Sequence, residues 1–362
     1  MRLFLLTATL LGVFVSCVPS STERTQEAGD TIPLKYATLL TMVRYADRVE
    51  VSIANPWHKG QVLQHYSVRE PFRRAAVFTA AHCQLLYDLH AAEALKAVCD
   101  LNYIYNKDIH RRADRQWMLD SGALVIADLG SGMAPDMEQI MAIQPDVMLI
   151  SPFENSGGFG KLAKLGIPII QTADYMENSA LARAEWMKLY GILFGREREA
   201  DSLFHVVDST YQSLHRMAIK QPRGRSILTE RKTGSVWYCP GGRSTVGQLL
   251  ADANGSYAFA DDEHGGSLPL SFEEVLAKAG QTEVWAFKFT GSNPLSKADL
   301  LAEFHGYAGL KAFQTGTIYE CSTTETPFFE ETPFRPDYLL REYIQLLHPQ
   351  LRLGLRYFKK LK

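Results

Sequence analysis

The sequence predicts an α/β protein built from two lobes that one long helix joins. On both sides of the chain's midpoint, short apolar runs alternate with helical patterns, the order typical of α/β folds. Between the halves, residues 196–218 form an amphipathic segment with apolar side chains at three- and four-residue spacing: Leu203, Val206, Val207, Tyr211 and Leu214. Such a helix spans roughly 35 Å at ~1.5 Å per residue, enough to connect two lobes. The alternative is one more surface helix of a single domain.

The chain begins with a secretion signal. Arg2 precedes an apolar run that is too short to span a bilayer as a mature helix, and Ser16 is followed by Cys17. A cysteine directly after the apolar core resembles a bacterial lipoprotein signal, which would place diacylglycerol on Cys17. Phe14 and Val15 depart from the usual residues there, so an ordinary cleaved signal peptide is the alternative.

The predicted organisation has six parts. Residues 1–16 are a signal peptide, 17–35 a lipid anchor with a flexible polar tether, and 36–71 a β-hairpin extension. The first α/β lobe is 72–195, the connecting helix 196–220 and the second lobe 221–351. Roughly 330 residues after the signal can bury a substantial core and suggest two domains.

Charge and hydropathy argue against nucleic acid as a partner and against a membrane-spanning segment after the signal. The formal net charge is −2, and no basic run is present to meet phosphates, which argues against nucleic-acid binding. After the signal, no apolar stretch is long enough to cross a membrane.

Four cysteines follow Cys17 in the sequence. None of them has CxxC spacing, which argues against a structural zinc site. Cys83–Cys99 with Cys239–Cys321 is one of three possible disulfide pairings, and four free buried thiols are the alternative.

In the first half, a hairpin precedes an alternation of strands and helices. The hairpin pairs residues 48–53 with 62–68. The predicted strands that follow are 75–79, 94–98, 124–127, 147–150 and 168–171. The predicted helices are 81–90, 136–142, 158–165 and 180–194, and 100–120 is predicted to be a loop. Because single helices separate them, the strands are expected to pair in parallel.

Ligands of parallel sheets bind at the carboxyl ends of the strands. The first-half candidates at these ends are Thr79, His82, Asp100, Tyr103, Tyr105, Ser131, Glu154 and Tyr175. His82 begins a helix beside a strand end, where it could contact a ligand or a metal, and a structural histidine with satisfied hydrogen bonds is the alternative. The glycine runs at 130–132 and 157–160 lack phosphate-loop patterns and are predicted to be turns.

The second half has the same alternation. Residues 226–230 and 235–238 are predicted to pair as strands, and 283–289 and 317–320 are further strands. Helices are predicted at 246–253, 273–279, 297–304 and 335–347, the first with Ser244 or Thr245 as N-cap. Aromatic residues and an arginine near strand ends suit a flat, anionic ligand: Trp237, Tyr238, Arg243, Phe328 and Phe329. For each aromatic, a place in the core is the alternative.

Four segments in order resemble a known family. PDMEQIMAIQPDVMLI, PLSFEEVLAKAGQTEVW and RPDYLLREYIQLLHPQL resemble the helix–strand signatures of periplasmic binding proteins for iron complexes and cobalamin. YCPGGRSTVGQLLADANGSY is similar to the family's second-lobe segment. The resemblance covers roughly residues 72–351. It implies two Rossmann-like lobes joined by one rigid helix, with the ligand between them, on the periplasmic face of the envelope.

The resemblance also implies a permease partner. In this family one carboxylate on each lobe's outer face meets arginines of the ABC permease in the inner membrane. Glu138 and Glu273 stand in the matching helices, with Glu274 as a neighbouring candidate for the second role. Two distant charges would report whether both lobes are correctly placed. A solvated helix face is the alternative for both residues.

The ligand that the resemblance implies is a ferric siderophore or haem, with cobalamin as the alternative. A cobalamin binder of this family carries a tryptophan near the loop that here is Gly-Ser-Gly-Met at 130–133. Haem would require an axial ligand, which His82 or Tyr103 could supply. No resident cofactor or metal ion is predicted, because the sequence shows no cluster of His and carboxylates at ligand spacing. The predicted ligand-binding residues are His82, Tyr103, Tyr105, Glu154, Trp237, Tyr238, Arg243, Phe328 and Phe329.

Two other functions are alternatives to a binding protein. A secreted metallo-hydrolase or chelatase would need a catalytic constellation, and the sequence has no GxSxG or HExxH motif. A structural surface lipoprotein would have no small ligand and a cleft lined by ordinary core residues. The sequence therefore favours a non-catalytic binding protein that is anchored to the membrane by lipid.

Overall fold

The computed structural model describes residues 28–114, 125–154 and 159–362 of the chain. The predicted signal peptide and the lipid site Cys17 lie outside these residues. Residues 28–35 were assigned to the flexible tether, but the structure places them in an ordered segment that includes a strand at Asp30–Thr31. That prediction was wrong because strand pairing, rather than local hydropathy, orders this polar segment.

The N-terminal extension is an antiparallel sheet of four strands, larger than the predicted hairpin. Its strands are β1 (Asp30–Thr31), β2 (Leu40–Arg44), β3 (Val49–Ala54) and β4 (Val62–Val68), paired in that order. The predicted hairpin is β3 with β4. Alternate residues of β3 are buried, so one face of this sheet packs on the core.

Two buried carboxylates tie this extension to the first lobe. Glu185 accepts hydrogen bonds from the backbone N–H groups of Lys35, Tyr36 and Ala37, and Glu177 accepts those of Thr38 and Leu39. Each carboxylate thereby satisfies several backbone donors that no strand partner reaches.

The first lobe is built on five parallel strands. They are β5 (Ala75–Val77), β6 (Leu95–Val98), β7 (Ala127–Asp128), β8 (Val147–Ile150) and β9 (Ile169–Gln171). Their order in the sheet is β7-β6-β5-β8-β9. All three residues of β5 and all four of β8 are buried, as expected for strands covered on both faces. The parallel pairing predicted from the alternation is confirmed.

The first-lobe helices are α1 (Ala80–Asp88), α2 (Lys107–Ala113), α3 (Met137–Ile143), α4 (Ala180–Glu185) and α5 (Met187–Phe194). Three predictions need correction here. In the described part of the predicted helix at 158–165, the structure has only a short 3-10 helix, Leu162–Leu165. The predicted loop contains α2, which Asn106 caps by accepting the Asp108 N–H. The predicted helix at 180–194 is divided at Trp186, whose indole N–H donates to Glu177.

One long helix, α6 (Glu197–Ile219), follows the first lobe and confirms the predicted connection. Its buried face is formed by Ala200, Phe204, Val207, Tyr211, Leu214 and Ala218. Val206 was predicted to belong to this face, but its side chain is 49% exposed. Helix α6 packs on helices of both lobes. Its buried residues are therefore those that face these two partners, and they do not all keep the ideal helical spacing.

The second-lobe strands are β10 (Ser226–Thr229), β11 (Lys232–Thr233), β12 (Val236–Pro240), β13 (Ser256–Tyr257), β14 (Ser267–Leu270), β15 (Val284–Phe289), β16 (Ile318–Ser322) and β17 (Lys359–Lys360). The main sheet has the order β13-β10-β15-β16-β17, and the strands β11, β12 and β14 form a separate antiparallel sheet. The predicted pair of 226–230 with 235–238 is therefore wrong, because β10 pairs in parallel with β13 and β15 instead. The sheet also extends past the predicted lobe end at 351, since β17 pairs with β16.

The second-lobe helices are α7 (Thr245–Asp252), α8 (Phe272–Ala279), α9 (Lys297–Glu303), α10 (Lys311–Thr315), α11 (Phe328–Glu331) and α12 (Pro336–Leu347). Ser244 caps α7 as predicted, by accepting the Gly247 N–H at 3.0 Å. The boundaries of α7, α8, α9 and α12 agree with the predicted ones to within one residue, whereas the short helices α10 and α11 were not predicted.

The four later cysteines are buried free thiols. The suggested disulfide pairing is therefore wrong, and the alternative of four free thiols is confirmed. Burial raises the pKa of the Cys99 and Cys239 thiols to about 12, which keeps them protonated and unreactive at neutral pH.

Candidate functional site

Two cavities lie where the strand order of each sheet reverses. In the first sheet β5 is flanked by β6 and β8, and in the second β10 is flanked by β13 and β15. The loops that follow β5 and β8, or β10 and β15, run in opposite directions and leave a crevice at the carboxyl ends, where open α/β sheets bind ligands. A cavity of about 350 Å³ occupies the first position and one of about 550 Å³ the second.

The first-lobe cavity is mainly apolar. Thr79 and Ser151 follow β5 and β8, and Asp100 follows β6. The Asp100 carboxylate accepts the Gly132 N–H at 3.1 Å, and a side chain at Gly132 would crowd that carboxylate. The remaining lining residues are apolar: Phe78, Met133, Pro135, Ile150, Phe153, Phe159 and Leu162.

A buried hydrogen-bond network positions the Thr79 hydroxyl. The Thr79 hydroxyl contacts Nδ1 of His82, and His82 Nε2 lies 2.9 Å from the Asp174 carboxylate. Asp174 also pairs with Arg183 at 3.0 Å. The Asp174 carboxylate fixes the orientation of the imidazole, and the hydroxyl of Thr79, a residue that lines the cavity, is held against the other ring nitrogen.

Asp174 stays ionised within this network. Burial alone would raise the pKa of its carboxyl, but the neighbouring His82 and Arg183 outweigh that effect and lower the pKa below its usual range.

The second-lobe cavity is lined mainly by charged and polar groups. Arg231 is paired with Glu303, and Lys288 with Glu230, and all four residues line the cavity. A third cation, Lys232, lies with its ammonium 4.5 Å from the centre of the Phe304 ring. Three cations against two carboxylates leave this cavity with a positive excess, which favours an anionic group.

Large exposed apolar side chains gather at the strand ends of the first lobe. Tyr103, Met133, Phe153 and Tyr175 follow β6, β7, β8 and β9 in turn. Met133 is 84% and Tyr103 77% exposed, although such side chains are normally covered in a monomeric protein. In the second lobe, Phe329 in α11 follows β16 and is 58% exposed.

Three of the nine predicted ligand-binding residues are buried. His82 is enclosed between Thr79 and Asp174, and Trp237 lies in the core with its indole N–H donated to the Thr229 carbonyl at 3.0 Å. Phe328 packs against Tyr357 and Phe358. These positions correct the prediction for all three, because their polar atoms are satisfied and their rings are covered by the protein.

The other six occupy two kinds of place. Tyr103, Tyr105, Glu154 and Phe329 lie in segments that follow strands at the carboxyl ends, where the prediction placed them. Tyr238 is exposed in the middle strand of the three-stranded sheet, and Arg243 forms an exposed ion pair with Glu263 at 2.9 Å. For all six, ligand contact stays a prediction.

The predicted docking glutamates occupy equivalent positions in the two lobes. Glu138 is the second residue of α3 and Glu273 the second residue of α8, and both are exposed. Each helix leads into the strand beside the crevice, β8 or β15. Glu274 instead closes a capping box with Ser271, which makes Glu273 the freer carboxylate.

Sequence reasoning missed the cations of the second-lobe cavity. The predicted pairing of 226–230 with 235–238 leaves residues 232–234 as the turn between two strands, and no sequence pattern singles out Arg231 or Lys288. The rule that located Thr79 and Asp100, applied to the ends of β10 and β15, would have found them.

Two further properties hold for the described residues. Among residues 28–114, 125–154 and 159–362, no group of three or more His, Cys, Asp or Glu could hold a metal ion. In the same ranges, no helix has both the length and the hydropathy required to cross a bilayer.

Two α/β lobes, one long connecting helix and a ligand crevice on each lobe define the class of a two-lobed binding protein. Residues 76–324 match the family model described as periplasmic binding protein, and the chain belongs to this family. The family comprises substrate-binding proteins of transporters, which are not enzymes.

An uncharacterized lipoprotein of Methanocaldococcus jannaschii is 25% identical over 254 residues, which cover 69% of this chain and 57% of the relative. The match thus spans little more than half of the relative's length.

Two solved structures share the fold. A periplasmic heme binding protein from Pseudomonas aeruginosa superposes with a TM-score of 0.60 at 15% identity, covering 80% of this chain and 98% of that one. An ABC-type Fe3+-hydroxamate transport system protein from Saccharomonospora viridis gives 0.57 at 18% identity, covering 81% and 97%. At these identities the likeness supports the two-lobed fold alone.

Proposed function

We propose that this protein captures an iron complex, a ferric siderophore or haem, between its lobes and delivers it to an ABC permease. The observation that carries the proposal is the pairing of unlike cavities at the two strand-end crevices. One is apolar and bordered by exposed aromatic side chains, and the other carries Arg231, Lys232 and Lys288. A ligand with a large flat apolar surface and anionic groups complements both.

Haem and ferric catecholates have this combination, since haem carries two carboxylates on a flat ring and catecholate complexes are anionic and aromatic. Cobalamin lacks the negative charge that the second cavity would attract. Of the two predicted axial ligands of haem iron, His82 is buried, and Tyr103, which is 77% exposed, remains.

Delivery requires a recognition surface for the permease. The equivalent, exposed positions of Glu138 and Glu273 support the role that the family resemblance assigns to them. The lipoprotein name of the relative supports an anchor at Cys17 on the periplasmic side of the membrane.

The test is a ligand panel on the full chain, with haemin, one ferric catecholate, one ferric hydroxamate and cobalamin. Tryptophan fluorescence and Tm are followed, since a ligand that binds only the folded state raises Tm. We expect saturable binding of one anionic iron complex at one equivalent. Binding of cobalamin alone would identify the alternative substrate, and no response to any of the four would contradict the proposal.

A second experiment separates capture from delivery. Glu138→Arg with Glu273→Arg should leave ligand affinity unchanged and abolish uptake of the labelled complex in cells that contain the permease. If the double variant transports normally, these glutamates do not dock the permease.

A further inference from the structure

A buried carboxylate of the second lobe is bonded to the backbone of the first. Glu330, in α11, is 3% exposed. Its Oε1 accepts the N–H of Tyr105 at 2.5 Å and that of Asn106 at 3.3 Å, across 225 and 224 residues of sequence. Its other oxygen, Oε2, is buried without a hydrogen-bond partner among the described residues. Burying a carboxylate that is only half satisfied is costly, so the contact requires an explanation beyond stability.

On the first-lobe side, the bonded segment is rigidly held. Asn106 caps α2 through the Asp108 N–H and donates its side-chain amide to Gln84 of α1 at 3.0 Å. Tyr103, two residues before Tyr105, is 77% exposed. The hydrogen bonds of Glu330 therefore act on a segment that is fixed to α1 and α2 and that carries this exposed tyrosine.

The second-lobe side is equally well anchored. Phe328, two residues before Glu330, packs against Tyr357 at 5.4 Å and Phe358 at 6.2 Å between ring centres. Glu331 accepts hydrogen bonds from Arg356 and from the Tyr357 hydroxyl. Phe329, directly before Glu330, is the exposed aromatic of this lobe.

We infer that Glu330 is a positioning residue that sets the spacing between the aromatic walls of the two lobes, Tyr103 and Tyr105 on one side and Phe329 on the other. Its two hydrogen bonds add to the packing of α11 on α1 and of Phe334 on His82 and Tyr190, and together these contacts hold the lobes in one relative position before a ligand arrives. The inference rests on the proposed function for its consequence in binding, but the contact itself is a property of the unliganded protein. A crevice whose walls are already held in place loses less conformational entropy when the ligand binds, and this smaller loss favours affinity.

Glu342 provides a matched control. It is also a buried glutamate of the second lobe, and its carboxylate accepts backbone N–H groups of Tyr357 and Phe358 at 3.0 and 2.9 Å, within the same lobe. Burial raises the pKa of both carboxyls. Substitution of Glu342 therefore removes a similar group from the segment that anchors α11 and leaves both hydrogen bonds between the lobes in place.

The experiment measures hydrogen exchange of the Tyr105 and Asn106 amides in the full chain without ligand. In Glu330→Ala, both amides should exchange about tenfold faster or more after correction for the change in global stability. Glu330→Gln, whose amide oxygen still accepts, should stay within about threefold of the unmodified protein. Glu342→Ala should leave both amides unchanged after the same correction. Where Glu330→Ala does not fold, Glu330→Leu replaces it.

Exchange in Glu330→Ala that is unchanged, or accelerated equally at all amides, would overturn the inference and leave Glu330 as a stabilising residue only. The binding arm uses haemin, for which we expect a dissociation constant weakened about three- to tenfold in Glu330→Ala and unchanged in Glu342→Ala. Failure of haemin to bind any variant would count against the proposed ligand and not against the interlobe contact, which the exchange data test alone. Binding of haemin with equal affinity in both variants would refute the consequence for capture.

Discussion

The two lobes carry their charges in opposite places. In the first lobe, one carboxylate, Asp100, lines a mainly apolar cavity, and the pair of His82 with Asp174 is buried behind that cavity, with side chains 2% and 1% exposed. In the second lobe, Arg231, Glu303, Lys288 and Glu230 stand in the cavity itself and are 20–35% exposed. Two sheets of the same design thus present an apolar surface on one side and a charged surface on the other.

This difference in exposure gives the charged groups of the two lobes different roles, stability in the first lobe and ligand recognition in the second. A buried ion pair is strongly destabilising to break because its partner is left charged without water, whereas a half-exposed pair contributes little. The first-lobe network therefore stabilises the folded protein. Thr79 is the member of this network that lines the cavity. The second-lobe pairs are free to exchange partners with a ligand.

The largest expected effect follows from Asp174→Ala. This change leaves His82 and Arg183 without their shared carboxylate, and we expect a loss of about 3–5 kcal/mol in the free energy of unfolding, measured with urea at pH 7. Arg231→Ala breaks the half-exposed pair with Glu303 and leaves the hydrogen bond from the Tyr307 hydroxyl to Glu303 in place, so it should cost less than about 1 kcal/mol. Equal losses in the two variants would abolish the distinction between the lobes.

The pH dependence tests the same residue. Because the pKa of Asp174 is lowered in the folded protein, its stabilising contribution is present above the unfolded pKa of about 3.9 and is lost as the pH falls through the folded value. The unmodified protein should therefore lose stability more steeply below about pH 4 than Asp174→Ala does. Parallel acid-unfolding curves would show that folding does not lower the pKa of Asp174.

Charge reversal in the second-lobe cavity should affect binding more than stability. Arg231→Glu with Lys288→Glu is expected to weaken haemin binding about 100-fold, or about 2.7 kcal/mol. The matched control, Arg198→Glu with Lys311→Glu, makes the same change at exposed sites outside this cavity and should change the affinity less than about threefold. A similar loss in both variants would indicate a general charge effect instead of a site.

The smallest effect is expected on the apolar side. Phe153→Ala removes an exposed ring from the rim of the first-lobe cavity and should weaken haemin binding about tenfold, independently of salt, with little change in Tm. Leu276→Ala, an exposed apolar residue in α8, is the control and should leave affinity unchanged. A salt-dependent loss in Phe153→Ala would mean that this side of the crevice does not bind through apolar contact.

How far each element could be predicted depends on where its determining contacts lie. Strand β8 and helix α6 were found almost to the residue because an unbroken apolar run and a long apolar stripe are local patterns. The predicted pairing of β10 with β12 was wrong because proximity in sequence favours a hairpin. Instead, β10 pairs with strands 30 and 57 residues later in the chain. The strand-end rule located Thr79 and Asp100 but could not tell which aromatic residues would stay exposed.

The sequence by itself determined the α/β class, the two lobes around α6 and the family, because these depend on periodicity and on the order of elements along the chain. Only the tertiary structure decided that Trp237 and His82 are buried, and that Arg231 and Lys288 share a cavity. It also decided that Glu330 reaches the backbone of the other lobe. Exposure and contact between distant residues depend on how the layers pack, and that information is distributed over the whole chain instead of any one segment.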